Sequence, residues 1–344
     1  MKKIIGTIML TLAMVSAPAR AAENKLNLFI WSEYIDPDII TAFEEKYDCK
    51  VTIDLYEDNE SALAKLQGGG VSQYDIVVPS DYIVPAMISL NLLAPLDHAQ
   101  IPNMVNLDPK FVNPAYDPGN KFSAAYQWGT VGIFVRKGEQ PIERTWGLLF
   151  NEAKSPGPFM MMDSIREMIG SALRYQGASV NATDKAELMK ARDALLDAKK
   201  RSLGFEGGVG GKNKVLSRTV QAAVVYNGDA VRGMAEDPDT EYFVPDEGGV
   251  IWCDNLCIPA KAPNRAMSEK FINFILDAKV GAQLSNFNQY ASPNKAAREF
   301  ITPDDLANSA IYPSDEIMGK LEFIVDVGDA GLLYDEIWTQ VKSE

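Results

Sequence analysis

The feature that most constrains this chain is an alternation of strand and helix signals running from about residue 25 to its end. KLNLFIW at 25–31 reads as a strand. A helix pattern follows over Pro37–Tyr47, with Asp36 as N-cap and a proline at the first helical position. KVTIDL at 50–55 is a second strand, and NESALAKLQ at Asn59–Gln67 a second helix that stops at Gly68, Gly69 and Gly70. YDIVV at 74–78 is a short apolar strand, with a helix pattern at 84–90. The order is βαβαβ, and the crossovers it needs make the sheet parallel.

A second α/β region begins near residue 135. It offers a short helix at 145–149, a strand at Phe159–Met162 and helices at 165–176 and 184–200. Leu188, Ala191, Leu195 and Ala198 form one apolar stripe on the last of these. A buried strand at 221–226 leads into a helix at 227–235, and Gly249–Pro259 is a long strand. Helix patterns recur at 266–276, 280–287 and 331–341. GFEGGVGG at 204–211 reads as a flexible loop. It is no phosphate loop, because Lys212 is followed by Asn213 rather than Ser or Thr.

A chain of 344 residues ordinarily folds as two domains. Lys and Arg number 33 against 47 Asp and Glu, a formal charge of -14, which argues against a nucleic-acid partner. The single His, His98, has no Ser or Cys at an informative spacing, so a His-based mechanism is not expected. At the start, Met1-Lys2-Lys3 precedes an apolar run from Ile4 to Val15, then Ala19 and Ala21 in an A-x-A arrangement. This reads as a signal peptide over 1–21, and the run of about 12 residues is too short to span a bilayer. The expected location is the periplasm of a double-membrane cell. Cys253 and Cys257 lie four apart in a strand, roughly 13 Å between Cα atoms, too far for a bridge. They read as small buried hydrophobes.

Open parallel sheets hold ligands beyond the carboxyl ends of their strands. Those ends carry Trp31, Ser32, Glu33 and Tyr34; Ser80, Asp81 and Tyr82; Asp163, Ser164 and Glu167; and Tyr226. The long strand puts Trp252 and Asp254 on one face, and Tyr290 follows a helix. The recurring theme is an aromatic ring beside a carboxylate or hydroxyl, which suits an amine-bearing cation. Each residue also has a plainer role open to it. Trp31, Trp252 and Tyr226 could be core aromatics, Tyr34, Tyr82 and Tyr290 surface or interface rings, and Ser32, Ser80 and Asp163 helix caps. Glu167 could be solvated, and Asp254 could belong to a buried pair with Arg. Glu57-Asp58-Asn59-Glu60 reads as a solvated loop capping the helix after it.

These passages resemble the periplasmic polyamine-binding proteins of bacterial ABC importers, the spermidine/putrescine type. The resemblance runs from about Lys25 to the end. It is carried by FIWSEYIDPDIITAFEEKY, YEDNESALAKL, YDIVVPSDYIV, WGTVGI at 128–133, GGVIWCDNLCIP, YASPN at 290–294 and VDVGDA. It implies an α/β two-lobed clamp, each lobe a sheet flanked by helices, with crossovers between lobes. One lobe would be 25–133 with 256–300, the other 134–255 with 301–344. It further implies a monomeric receptor without catalysis or cofactor, which carries a small cationic amine to a membrane permease. By the same resemblance Asp254 grips an amine, Tyr34, Trp252 and Tyr290 wall the methylene chain, and Glu167 is an acidic contact from the second lobe. Three positions depart from the spermidine pattern. Ser164 stands for an Asp (with Asp163 adjacent), Tyr226 for a Trp, and Ile324 or Val325 for a Gln. The departures favour a shorter diamine, or a ligand with only one strongly charged end. Two other classes stay open: a receptor for an amino acid or carboxylate, calling on Arg166 or Arg174, and an exported lyase or hydrolase using Glu167 and Asp254 as paired carboxylates.

Overall fold

The computed structural model describes residues 24–138 and 141–343, so the signal peptide expected at 1–21 lies outside the described residues. The first strand, Asn24–Trp31, lies parallel to Cys49–Tyr56, in register from Asn24 opposite Cys49 to Trp31 opposite Tyr56. On its other edge it lies parallel to Ile76–Val77. The helix Pro37–Tyr47 makes the first crossover. The Asp36 carboxylate accepts from the Asp38 amide at 2.9 Å, and Ile39 and Phe43 point into the core. Asn59–Gln67 makes the second, capped by Asp58 through the Ser61 amide at 2.7 Å.

Two long antiparallel strands join this α/β unit to the second one. Ser123–Arg136 has 14 residues and Gly249–Pro259 has 11. They pair from Ser123 opposite Cys257 to Thr130 opposite Ile251, with a register shift between Asp254 and Asn255. At one end Gly249–Pro259 meets Ile76–Val77 through Cys257. At the other end residues 131–136 of Ser123–Arg136 pair with Ala222–Tyr226 and Thr240–Phe243. Ala222–Tyr226 in turn lies parallel to Phe159–Met162. The result is a two-lobed α/β protein whose lobes share this strand pair.

Most expected elements are present. Leu188, Ala191, Leu195 and Ala198 are fully buried on Lys185–Arg201. Cys253 and Cys257 are buried free thiols. The expected loop at 204–211 is corrected: Phe205–Glu206 is a strand paired with Met161 and Met162, and Gly208–Leu216 is a helix. Its glycines let the backbone come close, since a Cβ on Gly211 would stand 3.1 Å from Val225 and 3.3 Å from the Ala223 Cβ. Ser123–Arg136, Thr240–Phe243 and Leu321–Phe323 are strands that the sequence pattern does not signal.

Candidate functional site

A cleft opens where the lobes face each other, floored by the shared strand pair. Trp31, Ser32, Glu33, Tyr34, Ser80, Tyr82, Asp163, Ser164, Glu167, Tyr226, Trp252, Asp254 and Tyr290 all line it. Ile324 does not. It is buried in the core beyond the strand Leu321–Phe323, while Val325 is exposed.

The aromatic walls form a connected series. The Trp252 ring meets Tyr226 edge-on at 5.6 Å and Tyr290 at 5.2 Å between centroids. Tyr290 meets Tyr34 at 5.4 Å. Trp31 is fixed by its Nε1, which donates to the Val78 carbonyl at 2.8 Å. The Tyr34 hydroxyl faces the Asp254 carboxylate, and the buried Trp252 Nε1 has no hydrogen-bond partner among the described residues. Buried polar atoms are ordinarily satisfied, so this orphan in the cleft marks a place where a ligand or water bonds.

Asp254 sits at the bulge of Gly249–Pro259, only 5% exposed. Its Oδ1 accepts from the Ser80 hydroxyl at 2.6 Å. Among the described residues no Arg or Lys pairs with it, and burial pushes its pKa up to about 7, with the Ser80 and Tyr34 hydroxyls opposing the rise and Glu167 adding to it. Glu167 is equally buried, accepts from the Ser164 hydroxyl, and is also raised by burial. Beneath the cleft Asp81 is 2% exposed and has an unpartnered Oδ2. Burial and then the Asp254 charge hold it well above the usual carboxylate range.

The rest of the lining comes from residues that the sequence pattern does not mark as part of the site. Asp58 does cap its helix, yet Glu57, Asp58, Asn59 and Glu60 face the cleft as well. Asn59 Nδ2 donates to the Tyr82 hydroxyl at 3.1 Å, which donates to Glu60 at 3.0 Å. From the other lobe come Met162, Gly207, Gly208, Val209 and Asp229. Among the described residues the lining thus includes the carboxylates of Glu33, Glu57, Asp58, Glu60, Asp163, Glu167, Asp229 and Asp254, and no Lys or Arg. Arg166 turns away to the Val325 carbonyl and Asn181, and Arg174 to Glu322 and the Glu247 carbonyl. His98 bonds the Asn120 carbonyl at 2.7 Å, outside the cleft. Among the described residues no group of His, Cys, Asp and Glu could hold a metal ion.

An interlobe cleft walled by rings and acids, on a two-lobed α/β fold, defines an extracytoplasmic solute-binding protein. A family model described as bacterial extracellular solute-binding protein matches residues 38–314. The spermidine/putrescine-binding periplasmic protein of Salmonella typhimurium is 32% identical over 335 residues, 96% of each chain. Among solved structures, a putative spermidine/putrescine ABC transporter from Listeria monocytogenes superposes with TM-score 0.87 at 34% identity, covering 93% of this chain and 99% of that one. The Tp0655 (TpPotD) lipoprotein of Treponema pallidum superposes with TM-score 0.82 at 29% identity, covering 93% and 100%. The chain belongs to the spermidine/putrescine family of periplasmic solute-binding proteins.

Proposed function

We propose that this protein captures a polyamine between its lobes and delivers it to an ABC permease, without chemical change to the ligand. The observation that carries this reading is a ring-walled cleft whose buried carboxylates, Asp254 and Glu167, have no Lys or Arg partner among the described residues. A buried carboxylate is costly unless a cation or several donors match it. An ammonium supplies the charge and three N–H donors, and the rings attract it and pack against methylenes. The lining offers an anionic solute no guanidinium or ammonium.

In this reading Asp254 and Ser80 hold one amine and Glu167 the other. Tyr34, Trp252 and Tyr290 enclose the alkyl chain, and Trp31, Ser32, Glu33, Tyr82, Asp163, Ser164 and Tyr226 complete the cleft. The lobes divide as 25–133 with 256–300 and 134–255 with 301–344, and ligand draws them together by a hinge in the shared strands. Ser164 in place of a carboxylate favours a diamine of the putrescine class over spermidine. The protein acts as a monomer, since delivery needs one cleft and one docking face. The test is native mass spectrometry of protein taken from cells before dialysis, followed by calorimetry with putrescine, spermidine and an anionic amino acid. A retained polyamine mass and binding of putrescine support the reading. Binding of the anionic amino acid alone would overturn it.

A further inference from the structure

The C-terminal helix Gly331–Ser343 places one cation against the cleft wall. Lys342 Nζ lies 2.7 Å from Asp163 Oδ1. The same ammonium stands 4.4 Å from the Phe205 ring centroid and 5.7 Å from that of Trp338. These two rings pack edge-on at 5.3 Å. A carboxylate and two rings therefore surround Lys342, the same chemistry the cleft offers its ligand. Asp163 is itself a lining residue, at the end of Phe159–Met162 and two positions from the helix that bears Glu167.

We propose that Lys342 is a specificity-determining residue, which takes up the Asp163 carboxylate that a further ligand ammonium would otherwise use. The inference rests on the polyamine reading and deepens it. With Asp163 matched from within the chain, that end of the cleft keeps the charge of Glu167 and the neutral hydroxyl of Ser164. A diamine loses nothing by this. A triamine must bring its third charge toward an acid that is already satisfied and a lysine that repels it. Lys342 acts through Asp163 and through its own field, without touching the ligand.

The test compares calorimetry of putrescine and spermidine at one ionic strength for the wild-type protein and Lys342→Met, Lys342→Arg and Asp163→Asn. Lys342 and Asp163 are partly exposed, so the effect is set by a solvated ion pair and is roughly fivefold. Lys342→Met should raise spermidine affinity by that factor and leave putrescine unchanged. Lys342→Arg should keep the wild-type ratio, and the Asp163→Asn/Lys342→Met pair should cancel the gain. An equal change for both amines, or no change for either, would overturn the inference while leaving the polyamine reading standing. Failure of the wild-type protein to bind either amine would remove both.

Discussion

Burial, with a smaller push from Glu167 and against hydrogen bonds from the Ser80 and Tyr34 hydroxyls, raises the Asp254 carboxyl to about 7. In the unfolded chain the group titrates near 4. The native state therefore holds this proton over a window where the unfolded state has lost it. The resulting stabilisation is fully present below about pH 4 and is lost as pH rises through about 7. The span amounts to roughly 4 kcal/mol by pH 8. Burial shifts Glu167 in the same direction. A bound ammonium favours the ionised carboxylates, so it restores most where most was lost. Ligand-free protein should melt lower at pH 8 than at pH 5.5, and putrescine should raise the Tm more at pH 8. A larger ligand shift at pH 5.5 would contradict this assignment. Asp254→Asn should weaken putrescine binding on the order of 100-fold, because one member of a buried charge pair is removed. The same variant should leave the ligand-free Tm at pH 8 equal or higher, which separates lost binding from lost folding.

The paired strands Ser123–Arg136 and Gly249–Pro259 hold the cleft floor at a fixed spacing, and Gly129 sets part of it. A Cβ there would stand 2.2 Å from Asn227 Oδ1 and 2.6 Å from Trp252 Cζ2. Asn227 Oδ1 accepts from the Thr130 amide at 3.0 Å, so it has little freedom to retreat. Gly129→Ala should push the Trp252 ring, lower putrescine affinity about tenfold and cost about 1–3 kcal/mol in a denaturant titration. Gly331→Ala, with nothing within 4 Å of its Cβ, is the matched control and should be neutral. Unchanged affinity in Gly129→Ala would show that the ring yields without consequence. The same glycines explain what sequence reading recovers. Pro37–Tyr47, Asn59–Gln67 and Gly249–Pro259 are legible to the residue, because caps, glycine stops and an unbroken apolar run are local signals. Ser123–Arg136 is hidden because Gly129 and Gly132 resemble breaks, although each marks a close approach of neighbouring side chains. Glu57 and Asp229 were missed for another reason: they reach the cleft from opposite lobes, and nothing local records that pairing. Ile324 fails by parity. Side chains alternate along an extended segment, and this one falls on the core side.

At the scale of the whole molecule, the cleft mouth is bridged by charge as well as by ligand chemistry. Glu33 follows the first strand with a left-handed backbone at φ 51. Its Oε2 lies 3.1 Å from Arg232 Nη2 and 3.8 Å from Lys212 Nζ, both on helices of the other lobe. Arg232 also pairs with Asp229 at 2.6 Å and donates to the Asn288 carbonyl at 2.7 Å. Glu33 is half exposed, so by the measure of folding its pair is worth at most about 1 kcal/mol. Closure of a hinged clamp is a balance of a few kcal/mol, and there the same increment changes the open-to-closed ratio about fivefold. Glu33→Gln should therefore leave the Tm almost unchanged while shifting ligand-free protein toward the open form. Small-angle scattering should report a larger radius of gyration, and stopped-flow release of putrescine should be up to about fivefold faster. High salt should reproduce the effect in the wild-type protein and add little to the variant, since screening and substitution remove the same attraction. A release rate indifferent to both would mean that the strand pair and the ligand set closure by themselves.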